Sequence, residues 1–518
     1  MSDRWMGKRG GWLSIVLACA VVLLSVNGAS AAKDKVVVAF GSNIPTLDPH
    51  MHAARLAHIA DWHLYDSLLF RESKDYTPTP GLATSVKSLN PLTWEVKLQR
   101  GVKFHNGEPL NAEAVKFTFD RILDPATKSV TRGNFTWIKE VKVVDEHTVH
   151  IITAKPFQAA PEFLTLAYIV PPKYVRSVGD EEFSRKPVGT GPYKFVEWKK
   201  AEHLIVEANE NYWKGSAKGM PKIKTIVFRT IPETTTQIAE LLSGGVDIIR
   251  NVPPDQIEVI KNSPNARISA TKILRVNSLL LDSAGRASKT PLLNQKVREA
   301  IAYGINVDEM LSKILGGYAE RSATGVNPLH FGFDGSIKPY PYDPERAKKL
   351  LAEAGYPSGF EITLNTYSGT ITSMDQMADA VTGYLAKVGI KVKRRHIEDV
   401  GMWTTSGKEG KLEGIQYYSW GSNSIFDADA ILYALTYSKE ALSYTKDATL
   451  DQLLDEGRTQ IDPRKRQEAY SKAQKLIHEK FYWIPINVQY TIEGVNKQLN
   501  YEASSDEMMR VYSASWKD

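Results

Sequence analysis

The chain has 518 residues, 42% of them hydrophobic and 24% charged, a balance that excludes a disordered or fibrous polymer and leaves room for two or three domains. Its 65 basic and 59 acidic residues give +6, and removing the first 31 residues, with three basic and one acidic side chain, leaves +4. That is too mild and too dispersed for a nucleic-acid partner.

Residues 1–31 read as a signal peptide. Arg4, Lys8 and Arg9 precede the apolar run Leu13 to Val26, and Ala29-Ser30-Ala31 supplies the small residues of a cleavage site before Ala32. The run is shorter than the roughly 20 residues a membrane-spanning helix needs, so a soluble protein exported to the periplasm is expected. The single cysteine, Cys19, lies inside this leader, so disulfides, thiolate metal sites and cysteine nucleophiles are excluded beyond it. Val16-Leu17-Ala18-Cys19 loosely resembles a lipoprotein box, but the apolar stretch continues past it, which makes lipid anchoring the minor reading.

Strands and helices then alternate without low-complexity linkers or repeats, as in an α/β or α+β architecture. Val36 to Phe40 is an apolar run suited to a buried strand. PHMHAARLAHIADWH holds His50, His52, His58 and His63. Imidazoles that bind a metal from one helix face usually stand four apart; His58 and His63 are five apart and His50 and His52 flank a proline-led turn, so a surface helix without metal is expected. Thr93 to Leu98 alternates Trp94, Val96 and Leu98 with polar residues, the period of a half-buried strand, and Val141 to Val144 and Thr148 to Ile152 flank a hairpin turn. Thr234 to Leu242 reads as a helix closed by Gly244-Gly245 that runs into a strand, Val246 to Ile249. Asp343-Pro344 opens a helix with an N-cap, Ala347, Leu350, Leu351 and Ala354 form its apolar face, and Gly355 closes it; Asp462-Pro463 repeats the opening.

The stretch YYSWGSNSIFDADAIL, Tyr417 to Leu432, carries two aspartates two residues apart. A catalytic reading of Asp427 and Asp429 needs carboxylates about 5 to 9.5 Å apart in one cleft with one pKa raised. If DADAILYAL begins a helix, Asp429 is a first-turn carboxylate facing the positive helix end and Asp427 an N-cap or pocket edge, which is the preferred reading. No GxSxG elbow, HExxH pair or phosphate-binding loop occurs, and the glycines of GTGPYKF belong to a turn before a strand. Missing motifs alone carry little weight; combined with the family resemblance given next, they imply no enzyme, with a secreted hydrolase a distant alternative and a surface adhesin or chaperone-like binder a third.

WEVKLQRGVKFHNGEPLNAEAVKFTFDRILDP (Trp94 to Pro125) resembles the signature of the bacterial extracellular solute-binding proteins of family 5, the peptide- and nickel-type receptors of ABC importers. GTGPYKFVEW, ELLSGGVDII, NQKVREAIAYGINVDEML, YDPERAKKLLAEAGYPSGFEITL and WIPINVQYTIEGVNKQLN are further family-like blocks in consistent order. The resemblance implies an α/β, two-lobed periplasmic binding protein fold (type II, cluster C) with an extra domain inserted in lobe one. By block order, lobe one comprises residues 32–72, 190–272 and 488–518, the extra domain 73–189 and lobe two 273–487. It also implies a monomer without cofactor that captures a peptide or peptide-like solute between the lobes and delivers it to permease subunits in the inner membrane. A sugar, opine or nickel chelate is the alternative ligand.

In many peptide-binding relatives the segment at Trp420 reads Trp-x-x-Asp, and the Asp pairs with the peptide ammonium. Here the fourth position is Asn423, which accepts a hydrogen bond but forgoes charge assistance worth on the order of 1 to 2 kcal/mol; Asp427 can replace it if the loop folds back. The resemblance thus implies a pocket with Trp420, Tyr418 and Trp403 as stacking faces, core packing being the alternative for each. Arg275 in LRVNSLLL would anchor a carboxylate, and Asn43, before IPTLDP, and Asn251, after VDIIR, would face the cleft, a surface or hinge role being the alternative for these three.

Overall fold

An apolar run such as Val36 to Phe40 offers no face to water, and it forms a buried strand, Lys35–Phe40, inside the main sheet. The computed structural model describes residues 34–72, 74–368, 371–398, 400–421 and 425–517; the leader with Cys19, and Asn423, lie outside the described residues. Lys35–Phe40 pairs in parallel with Thr225–Thr230 and, through Val38, with Ile248–Ile249. From there the sheet passes through Trp483–Asn496, Ala266–Leu281 and Ile415–Trp420 to Phe360–Tyr367 and Ile390–Ile397, and in the other direction to His203–Ala208 and Tyr193–Lys199.

Two long antiparallel strands tie the halves of this sheet together. Ala266↔Asn496 through Lys272↔Tyr490 pair at one end and Val276↔Val488 through Leu280↔Trp483 at the other, with the register broken between Lys272 and Val276. Beyond the break, Val276 to Leu281 also pair with Ile415–Trp420. One hydrophobic core collects residues between Leu279 and Ile486, and a second is built from residues 36–65, 168–248 and 495–514. A third surrounds a separate four-stranded antiparallel sheet, Ala83–Asn90, Thr93–Leu98, Thr148–Thr153 and Ile138–Asp145. The helix Ala112–Leu123 packs on that sheet because Asn111 caps it, accepting the Ala114 N–H at 3.1 Å, and Val115, Phe119 and Ile122 share one buried face.

The expected helices at Asp343 and Asp462 form as Pro344–Glu353 and Pro463–Glu479, each aspartate accepting a backbone N–H inside the first turn. The helix expected from Thr234 runs Thr234–Ser243 and closes at Gly244 with φ 82°. The GTGP turn explains its glycines by close approach: a Cβ on Gly189 would stand 2.1 Å from the Leu64 carbonyl oxygen, and one on Gly191 2.4 Å from that of His63.

The histidine-bearing segment departs from expectation. Its helix, Arg55–Leu64, is buried from Ala57 to Leu64 and is no surface helix. Some of its polar groups find partners inside the protein, which hydrophobic periodicity does not register. His63 Nδ1 hydrogen-bonds the Ile59 carbonyl at 2.7 Å, and burial takes its pKa down to about 3. Lys218 donates to the carbonyls of Trp62 and Tyr65 at the helix end and pairs with Asp66 at 2.8 Å.

Candidate functional site

The strand Ile415–Trp420 ends with Trp420 half-buried at the rim of a cavity of about 550 Å³. The opposite wall comes from the four-stranded sheet and its loops: Trp137, whose indole N–H donates to the Asn134 carbonyl at 2.9 Å, is stacked on Phe157 at 4.9 Å, with Phe163 beside them. The floor is made by Tyr433 on the helix Asp429–Thr436 and by Asp455 and Arg458 on the helix Ala448–Thr459. The cavity therefore draws its aromatic faces from two different hydrophobic cores. The Trp420 indole N–H has no hydrogen-bond partner among the described residues, leaving a donor at the rim.

Asp427 and Asp429 are each claimed by an arginine of their own. Arg466 grips Asp427 with two contacts of 2.7 Å, and Arg458 donates to both oxygens of Asp429 at 2.8 Å each. Burial pushes the Asp427 carboxyl upward and Arg466 opposes that rise. Asp427 also accepts the Asp429 N–H at 2.9 Å, so it orders the entry to the helix although Ala428 occupies the capping position. The Arg458 guanidinium lies 3.2 Å from the centre of the Tyr433 ring, presenting a cation and an aromatic plane together on the floor. Tyr433 and Tyr437 stack at 4.2 Å and direct their hydroxyls to Asp455.

Ile425 and Phe426 are held in place beside the cavity. The Phe426 N–H donates to Glu162 at 3.2 Å, Arg71 donates to the same Glu162 oxygen at 2.6 Å, and the Phe426 ring stacks on Tyr76 at 5.1 Å under the Arg71 guanidinium. Ile425 joins the core of the four-stranded sheet.

The remaining expected residues scatter. Trp403 is 1% exposed and Tyr418 lies flat against it at 4.2 Å, so these two faces are occupied by each other behind Trp420. Arg275 is held by Glu507 at 3.0 Å; burial would raise the Glu507 carboxyl, but Arg275, Arg55 and Arg250 outweigh it and keep it below the usual range. Asn43 is exposed on a loop, and Asn251, with φ 54°, lines a separate cavity of about 360 Å³ with Pro253, Gln376 and Gln489. Only Trp420 of the described residues so far named as ligand contacts lines the aromatic cavity. Trp137, Phe157, Phe163, Tyr433 and Arg458 went unnoticed in the sequence, since the pairing of NFTWI and KPF with a helix some 300 positions later is a tertiary fact.

Residues 77–443 match the model of "Bacterial extracellular solute-binding proteins, family 5 Middle". The chain belongs to that family. As a family 5 solute-binding protein it is 31% identical over 503 residues to the glutathione-binding protein GsiB of Escherichia coli K12, covering 95% of each chain. It superimposes with a TM-score of 0.81 and 26% identity on the periplasmic binding protein DppA of Helicobacter pylori in complex with the peptide STSA, over 93% of this chain and 98% of that one. The substrate-binding protein CtaP of Listeria monocytogenes, at 22% identity and a TM-score of 0.83 over 94% and 100% of the chains, shares the fold. The architecture is thus the two-lobed fold of periplasmic binding proteins, and these relatives are transport binding proteins. No helix among the described residues is long and apolar enough to cross a membrane.

Proposed function

We propose that this family 5 protein is the periplasmic receptor of an ABC importer that holds a peptide or peptide-like solute in the cavity between Trp420 and Trp137 and hands it to permease subunits in the inner membrane, making and breaking no bond. The carrying observation is that cavity. Its volume suits a small ligand, its walls are aromatic, and they come from two separately packed cores, so motion of one against the other opens or closes it. The names of GsiB and of the DppA complex point to peptide-like solutes.

In this reading lobe one is 32–72, 190–272 and 488–518, the extra domain 73–189 and lobe two 273–487, and the register break at Lys272 to Val276 is the hinge. Trp420 is the stacking face, with Tyr418 and Trp403 as its backing. Asp455 is the carboxylate available to a ligand ammonium, Arg458 stays committed to Asp429, and Arg275 fixes the closing segment through Glu507. Asn43 and Asn251 belong to the outer cleft.

The test is calorimetry with di- and tripeptides, glutathione included, on the wild type and Trp420→Ala. Removing one aromatic wall costs about 2 kcal/mol, roughly 30-fold in Kd. Peptide binding that survives unchanged in Trp420→Ala would place the ligand elsewhere. Absence of peptide binding, with binding of a sugar, opine or nickel chelate, would keep the receptor and replace the solute.

A further inference from the structure

Among the buried polar clusters that solute binding does not use, one converges without satisfying itself. His52, on the loop before the buried helix, and His58 and Asp61, on that helix, bring one ligand atom each within 4.8 Å of one another. His52 Nε2 lies 3.0 Å and His58 Nδ1 3.5 Å from the same oxygen of Asp61. His52 is 3% exposed, His58 9% and Asp61 0%. Despite these approaches, no hydrogen bond of normal geometry reaches either nitrogen of His52, Nδ1 of His58 or either oxygen of Asp61 among the described residues. Buried polar atoms are otherwise nearly always paired; here two imidazole nitrogens crowd onto one Asp61 oxygen while His52 Nδ1 and Asp61 Oδ1 have no partner among the described residues, and the cluster asks for a common one.

We propose that His52, His58 and Asp61 bind one divalent transition cation of the zinc class. Zinc takes nitrogen and carboxylate oxygen ligands at about 2.0 to 2.2 Å in a tetrahedron, which sets neighbouring donor atoms roughly 3.3 to 3.5 Å apart. The two separations to Asp61, 3.0 and 3.5 Å, bracket that value, and the two imidazole donors lie within 4.8 Å of each other. Two imidazoles and a carboxylate suit zinc, nickel or copper and disfavour magnesium or calcium, which prefer oxygen alone. Three protein ligands leave a fourth position for water. The spacing argument from sequence considered His58 with His63; the structure instead joins His58 to Asp61 one turn on and to His52 from the loop, closing the loop onto the helix. None of these residues lines the aromatic cavity, so the site is distinct from the one proposed for the solute.

The purified protein, stripped with EDTA and then titrated with ZnCl₂ in the calorimeter, should bind one equivalent, and saturating zinc should raise its melting temperature, since a ligand of the native state stabilises it. Both effects should vanish in His58→Ala and Asp61→Asn and persist in His396→Ala, whose ring serves Thr366 and Ser368. No stoichiometric binding by the wild type, or binding unaltered in the two site variants, overturns the proposal. Should those variants fail to fold, cobalt(II) loaded into the wild type decides: an intense tetrahedral visible spectrum supports the site, and a weak octahedral one overturns it.

Discussion

Protonation of the buried His330 should cost the protein stability at low pH, and the size of the effect follows from its surroundings. The ring is 4% exposed, its Nδ1 accepts the Asn327 N–H at 3.1 Å, and burial, aided by the charge of Arg71, lowers its pKa to about 4. An unfolded histidine titrates near 6.5, so the folded protein holds this proton more weakly than the unfolded chain does. The stability it contributes is complete above about pH 6.5 and is lost as pH falls toward 4; at pH 5 the loss is about 2 kcal/mol relative to pH 8. His330→Asn keeps an acceptor near the place of Nδ1 but does not titrate. Guanidinium denaturation of both proteins at pH 8 and pH 5 should find the variant weaker at pH 8 from lost packing, and the gap should narrow by about 2 kcal/mol at pH 5. Parallel losses would refute the reasoning. The neighbouring Phe331 N–H binds the Phe426 carbonyl at 2.8 Å, so protonation of His330 should also weaken the hold on Phe426 beside the cavity.

Two further substitutions probe other parts of the structure. Gly189→Ala should cost about 3 kcal/mol in equilibrium denaturation, because its Cβ would meet backbone that cannot step aside; a loss below roughly 0.5 kcal/mol, the level of a neutral surface change, would mean the turn relaxes freely. Arg466→Met should destabilise by about 3 to 5 kcal/mol at pH 7 by leaving Asp427 buried and unpaired, and adding Asp427→Asn should recover part of that loss; strictly additive losses would show that the pair is not coupled.

The sequence disclosed elements whose signals are local. The caps at Asp343 and Asp462, the hairpin between Ile138–Asp145 and Thr148–Thr153 and the buried strand at Lys35 formed where residue pattern placed them, because a cap or a two-residue period involves neighbours only. Family likeness carried the two-lobed fold and drew attention to Trp420, which stands at the cavity rim. What stayed hidden depended on distant partners. Asp429 reads as an ordinary first-turn carboxylate until Arg458, on the next helix, is known to lie beside it. The polar residues of Arg55–Leu64 suggest solvent until Lys218 and the core around them are in place. Trp403 and Tyr418 read equally as pocket or core, and their mutual stacking decides between them only in three dimensions.

The ladder through the first half of the sheet has a consequence for how the chain is made. Val38 pairs with Ile248 and Ile248 with Val495, so three adjacent strands come from the beginning, middle and end of the polypeptide. A ribosome has released nearly the whole chain before that ladder can close, and contacts this distant in sequence close slowly. For a family that works outside the cytoplasm the delay is useful: the polypeptide stays threadable through a secretion channel until its last strand has emerged to complete the sheet.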